Sequence, residues 1–183
     1  MKVIATIIDE SGLDRTINRL AYEIIERNRG VDRVVMVGIR SRGVEIAHRL
    51  QKKIHAIENK PVPLGSLDVT LYRDDFRKRL KQPDVQVSEI PFNIDEKHVI
   101  LIDDVLYTGR TSRAALDALL DFGRPASVQL AVLVDRGHRE MPIKADYIGK
   151  SIPTLVGEEV RVKLREVDGE DAVLLVQAPE ENK

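Results

Sequence analysis

The chain contains no cysteine, which excludes a disulfide framework, a thiolate zinc site and a CxxC redox pair. It also lacks any apolar run long enough to cross a bilayer or form the core of a signal peptide, so the expected location is the cytoplasm, with no membrane partner. Walker A spacing, GxGxxG and HExxH are missing, which leaves nucleotide hydrolysis, dinucleotide redox chemistry and a zinc hydrolase without support. There is no internal repeat and no low-complexity linker. A chain of 183 residues suits one well-buried α/β domain and is short for two. The net charge of -1 hides an asymmetry: residues 1–60 carry 12 basic against 8 acidic side chains, and residues 61–183 carry 17 against 22. Local charge, and not net charge, recruits a polyanion, so the basic front half is a candidate phosphate-binding face.

What is present centres on VILIDDVLYTGRT, residues 99–111. Val99, Ile100, Leu101 and Ile102 form a buried-strand pattern that runs into Asp103 and Asp104, then Val105, Leu106 and Tyr107, then the small-residue turn Thr108-Gly109-Arg110-Thr111. That turn opens a helix, and backbone N–H groups at a helix N-terminus bind phosphate. Two carboxylates beside a phosphate suit a polyhydroxylated sugar or a hydrated divalent cation, so a sugar phosphate fits better than free phosphate. Read blandly, the acids start a turn and Thr111 caps a helix.

The rest of the chain repeats a strand, loop, helix plan. Val3–Ile8 is strand-like, and Ser11 opens an amphipathic helix with Leu13, Ile17, Leu20, Ala21, Ile24 and Ile25 on its apolar face, ending near Gly30. Val34–Val37 leads into Gly38-Ile39-Arg40-Ser41-Arg42-Gly43, where two arginines between glycines give a flexible loop able to surround a pyrophosphate. Val62–Thr70 reads as a strand, and the charged stretch at about 72–90 as a mobile excursion. A helix over Ser112 to about Phe122 points Ala115, Leu116, Leu119 and Leu120 inward. Val128–Val134 is a further buried strand ending in Asp135-Arg136-Gly137-His138-Arg139. Ile148, Ile152, Val160–Leu164 and Val173–Val176 suggest short strands forming a cover, within about 138–178.

Residues 99–111 resemble the thirteen-residue signature of type I phosphoribosyltransferases, and VGIRSRG resembles their pyrophosphate loop. With LDVTLYRDD and GRPASVQLAVLVDRGHREMPIKADYIGK followed by SIPT, the resemblance covers nearly the whole chain. It implies a central parallel sheet flanked by helices with a small hood, and 5-phosphoribosyl-1-pyrophosphate (PRPP) held by residues 99–111. The pyrophosphate would lie on Arg40, Ser41, Arg42 and Gly43. Asp103, Asp104 and Arg73 would serve catalysis, with Arg73 on the flexible loop over about 72–90. Magnesium would enter with PRPP and water, without direct protein ligands. In purine-salvage relatives an Asp lies immediately before Thr-Gly and faces the purine imidazole; here that position is Tyr107, which argues for a pyrimidine.

The longer stretches resemble members of the family that attenuate pyrimidine operons and also convert uracil and PRPP to UMP and pyrophosphate. That likeness implies uracil contacts, through backbone groups, near Val134, Asp135 and Arg136. It also implies binding of a pyr mRNA leader hairpin with UMP or UTP present, through Arg19, Arg27, His138, Arg139, Lys144 and Lys150, and assembly as a homodimer or larger oligomer. Asn18 and Tyr22 stand where better-known members have Thr and His, which puts hairpin affinity in question. A plain pyrimidine-salvage transferase without RNA binding uses the same loop, as does a regulator in which turnover is incidental.

Overall fold

A computed structural model describes residues 2–72 and 87–177. The elements run β1 (Val3–Ile8), α1 (Glu10–Asn28), β2 (Val34–Ile39), α2 (Arg42–Glu58), β3 (Leu64–Leu67), a 3-10 turn (Thr70–Tyr72), β4 (His98–Leu106), α3 (Arg110–Leu120), β5 (Ser127–Asp135), β6 (Tyr147–Ser151), β7 (Glu158–Lys163), the one-turn α4 (Arg165–Asp168) and β8 (Ala172–Gln177). Among the described residues, a parallel sheet of order β3-β2-β4-β5-β6 carries a separate antiparallel sheet, β1-β8-β7, as its hood. No described helix is long and apolar enough to cross a membrane.

Helices cover both faces of the parallel sheet, so its strands read as continuous apolar runs and their alternation divides two cores. Met36, Ile100, Ile102, Ala131 and Leu133 pack with Leu13, Ile17, Leu20 and Ile24 of α1 and Ile46, Leu50 and Ile54 of α2. Val35, Val37, Val99, Leu101 and Val132 pack with Ala114, Ala115, Ala118 and Leu119 of α3. Each large aliphatic buried this way contributes about 1.5–3 kcal/mol.

Several boundaries differ from the sequence reading. Asp9, not Ser11, caps α1, its carboxylate accepting the Gly12 N–H at 2.7 Å, while Arg29 closes the helix in the left-handed region just before Gly30. The strand expected over Val62–Thr70 shortens to Leu64–Leu67, because Asp68 accepts the Thr70 N–H at 2.8 Å and starts a turn. α3 begins at Arg110, which leaves Leu116 half-buried and Leu120 exposed while Ala114 and Ala118 join the core.

The cover is also built differently. Tyr147–Ser151 joins the parallel sheet beside β5, with Ala131 opposite Tyr147 and Val134 opposite Lys150. Gly149 permits that approach, since a Cβ there would lie 2.3 Å from the Leu133 carbonyl oxygen. The hood instead recruits β1, which pairs Val3 with Val176 across nearly the whole chain. A strand pattern does not specify so distant a partner.

Candidate functional site

The site lies where β4 outruns β2. Pairing between them stops at Gly38 and Ile102, whereas β4 and β5 remain paired to Leu106 and Asp135. Asp103 and Asp104 therefore sit inside β4, short of its end, in the crevice left by β2. Asp103 is buried, and its carboxylate accepts the Asp104 N–H at 2.9 Å; that of Asp104 accepts the Val105 N–H at 2.8 Å. Burial pushes the Asp104 carboxyl pKa up, against the opposing pull of the Val105 N–H and the Arg42 cation.

The loop expected from Gly38 to Gly43 contracts to Arg40 and Ser41, joined by a cis peptide. Its glycines serve close packing and not flexibility. A Cβ on Gly38 would meet the Val44 Cα at 2.6 Å, and one on Gly43 the Ile102 carbonyl oxygen at 2.5 Å. Both sites need glycine to seat the first turn of α2 on β2 and β4. From there the two arginines diverge. Arg40 donates to the Ser66 Oγ at 2.9 Å and the Val87 carbonyl at 3.3 Å. Arg42 reaches the hood and grips Asp168, with Nη2 and Nε at 2.8 and 3.3 Å from its two carboxylate oxygens.

At the end of β4, Val105, Leu106, Tyr107, Thr108, Gly109, Thr111 and Ser112 line a cavity of about 180 Å³ at the N-terminus of α3. Gly109 caps that helix at φ 88°. The Thr108 carbonyl accepts the Glu140 and Met141 N–H groups, each at 2.9 Å, and Arg110 pairs with Glu140 at 2.6 Å. The chain after β5 thus holds the turn in shape. Val99, Ile100, Leu101 and Ile102 are core residues, so they support the turn and do not line it.

A neighbouring cavity of about 220 Å³ is lined by Tyr107, Arg136, His138 and the hood residues Leu155 to Glu159. The Arg136 guanidinium carbon stands 4.1 Å from the Tyr107 ring centroid, a cation–π stack. The same guanidinium donates to the Thr154 Oγ1 at 3.2 Å and the Glu158 carbonyl at 2.5 Å, and His138 Nε2 meets the Thr154 carbonyl at 2.7 Å. Of the three residues expected to contact a base, only Arg136 lines this cavity. Val134 is core, and Asp135 is occupied: its carboxylate accepts from Gly137 at 3.0 Å and Arg139 at 2.5 Å, and its carbonyl from Ile152 at 2.8 Å. Burial opposes ionisation of Asp135, but Arg139 and the Gly137 N–H outweigh it and lower its pKa. Sequence reasoning missed the Leu155–Glu159 wall, whose one local signal is Gly157 in a turn at φ 84°.

The six expected RNA contacts each have a defined setting. Arg19 donates to the Ile148 and Gly149 carbonyls at 3.2 and 2.6 Å, and Lys150 to the Ile7 carbonyl at 2.9 Å. With Arg15 these two line an open depression of about 640 Å³ beside β1 and α1. Arg27 pairs with Asp146 at 2.7 Å and lies over Tyr147, and Lys144 is exposed near it in sequence. His138 belongs to the rim of the Tyr107 cavity. Arg139 is a clamp, donating to the Tyr107, Gly137 and Ile143 carbonyls at 2.8, 3.1 and 3.0 Å. Arg73 and residues 73–86 of the expected flexible loop lie outside the described residues.

An acid pair in the crevice of a parallel sheet, a glycine-bounded helix N-terminus after it and a hood make up the candidate site of a phosphoribosyl transferase fold. A family model described as a phosphoribosyl transferase domain matches residues 6–166. Hypoxanthine-guanine phosphoribosyltransferase of Bacillus anthracis shares the fold at a TM-score of 0.73 and 20% identity, over 96% of this chain and 99% of that one. The hypoxanthine phosphoribosyltransferase of Trypanosoma cruzi does so at 0.74 and 20%, over 95% and 96%. Among relatives in sequence, a protein of Pelotomaculum thermopropionicum is 55% identical over 96% of this chain and 97% of its own length, and one of Clostridioides difficile 56% over 93% and 97%. Both bear the name bifunctional protein PyrR. The chain belongs to the phosphoribosyl transferase family and, within it, to the PyrR proteins.

Proposed function

We propose that this protein joins uracil to PRPP, giving UMP and pyrophosphate, and that with UMP or UTP bound it holds a pyr mRNA leader hairpin and promotes attenuation. The observation that carries the enzymatic half is the Tyr107–Arg136 stack beside the Thr108–Thr111 turn. It puts a flat aromatic side chain, and not a carboxylate, at position 107, where a base would meet the sugar phosphate. The PyrR names of relatives more than half identical support the regulatory half. A protein acting on leader mRNA works in the cytoplasm. The exposed Val3 and Ile4 on the outer strand of the hood support a homodimer or larger oligomer.

The reaction is displacement at the anomeric carbon of the ribose. Uracil N1 forms the new bond and loses its proton to solvent, while the bond to pyrophosphate breaks and its electron pair leaves with the pyrophosphate. Asp103 and Asp104 accept hydrogen bonds from ribose hydroxyls and stabilise the positive charge that grows on the ring. Backbone N–H groups of Thr108–Thr111 hold the 5′-phosphate at the end of α3. Arg40 and Arg42, with Arg73, meet the pyrophosphate. Arg136 orients Tyr107, which stacks on the base. Among the described residues no three potential ligands cluster as for a protein-held ion; the acid pair fits magnesium carried in by PRPP phosphates and water. When bound, that ion neutralises charge on the leaving group.

Uracil-dependent UMP formation with PRPP and magnesium tests the enzymatic reading. We expect turnover with uracil; absence of uracil-dependent pyrophosphate release overturns it.

A further inference from the structure

Arg42 and Arg49 stand seven residues apart on α2, so they share one face two turns apart. Both face the hood. Arg49 forms the lower contact, pairing with Glu166 at 2.5 Å and Asp171 at 2.7 Å, and Arg42 forms the upper one with Asp168. The upper contact lies at the pyrophosphate loop and occupies the Nε–Nη2 edge of Arg42, the edge a guanidinium offers to an anion in a fork. Asp168 is itself held in place, since its Oδ2 also accepts the Leu164 N–H at 2.9 Å.

We infer that Asp168 is a positioning residue that competes with pyrophosphate for Arg42, so that filling the pyrophosphate site releases the upper hood contact while Arg49 keeps the lower one. Arg42 without this partner would present a full positive charge to PRPP. With it, the arginine is neutralised by a hood carboxylate and flanked by the Asp104 carboxylate, whose charge it also feels. The hood strand β7 begins at Glu158, which closes the base cavity. Pyrophosphate occupancy and the shape of the base cavity are therefore linked through Asp168. The inference rests on the PRPP reading above.

Calorimetric binding of PRPP with magnesium, without uracil, tests it in Asp168→Asn and in Glu166→Gln, which weakens the lower contact without touching Arg42. Asp168→Asn should tighten PRPP about threefold, the scale of a partly screened ion pair, and should tighten inorganic pyrophosphate similarly. Glu166→Gln should leave both unchanged, and Asp168→Glu should restore the wild-type value. Unchanged or weakened PRPP binding in Asp168→Asn, or an equal shift in Glu166→Gln, would show that Asp168 only anchors the hood. Failure of the wild-type chain to bind PRPP at all would overturn the underlying reading instead, and this inference with it.

Discussion

Arg136 lies over the ring of Tyr107 at 4.1 Å while its nitrogens hold Thr154 and Glu158 of the hood. One buried guanidinium thus fixes both the aromatic wall of the base cavity and the chain that closes it.

Base choice follows from that stack. The position that meets an imidazole ring in purine enzymes carries a tyrosine backed by a cation, with no carboxylate to pair with a purine N–H. In a competition assay we expect uracil to be used at least about 100-fold better than hypoxanthine or guanine, the discrimination expected when a polar partner is missing. Comparable conversion of either purine would refute the pyrimidine assignment.

Asp104→Asn should separate stability from activity. The folded pKa of Asp104 lies above its ordinary value of 3.8 because burial disfavours the charged form. The folded chain therefore binds the proton more tightly than the unfolded chain, and stability falls as pH rises through that interval. Ionised Asp104 costs stability at neutral pH, so the asparagine variant should melt higher than wild type. Its kcat should fall about 100- to 1000-fold with the loss of charge stabilisation at the ribose. Near wild-type turnover at saturating PRPP would leave Asp104 a turn-forming role only.

The lower hood contact has the opposite pH signature. Arg49 holds Glu166 below its ordinary pKa of 4.5. At Asp171 burial resists ionisation, but Arg49 and the Arg165 N–H still bring the pKa below 3.8. Such groups add stability above their unfolded pKa values, and the contribution is lost as pH falls through the folded ones. Arg49→Gln should cost about 1–2 kcal/mol at pH 7, discounted for screening at the exposed Glu166. Chemical denaturation at pH 7 and pH 3 checks this; an equal deficit at both would contradict the ion-pair origin.

Much of the candidate site was legible because it is local in sequence. The acid pair, the Thr108–Thr111 turn and the two pyrophosphate-loop arginines are contiguous motifs whose spacing carries their geometry. The partners of those residues were not legible, since they come from far along the chain. Asp168 on Arg42, Thr154 and Glu158 on Arg136, and β1 beside β8 are contacts that no local pattern encodes. Gly38 and Gly43 were visible as residues but misread in role, because a glycine that allows flexibility and one that allows close packing look alike until the neighbouring backbone is known. Arg139 illustrates the same limit: its charge was legible, but the Tyr107, Gly137 and Ile143 carbonyls and the Asp135 carboxylate that it holds were not.

For the RNA face, the expected cations also carry structural hydrogen bonds, Arg19 to the β6 backbone and Lys150 to the Ile7 carbonyl. Arg19 holds the β6 backbone, so Arg19→Gln should lower stability as well as any RNA affinity. Lys144 and Lys150 are exposed lysines. Replacing both with Gln should flatten the log–log salt dependence of hairpin binding by roughly two units, about one per phosphate contact. Titrations at several salt concentrations decide it; superimposable wild-type and variant slopes would remove both lysines from the RNA face.

The most direct test of one nucleotide site serving both activities is the affinity of the wild-type protein for a pyr leader hairpin, measured at one salt concentration with and without UMP. UMP bound at Asp103, Asp104 and the Thr108–Thr111 turn should tighten the hairpin complex. Affinity that is the same with and without UMP, or no hairpin binding in either condition, would contradict that link and leave a plain uracil-salvage enzyme.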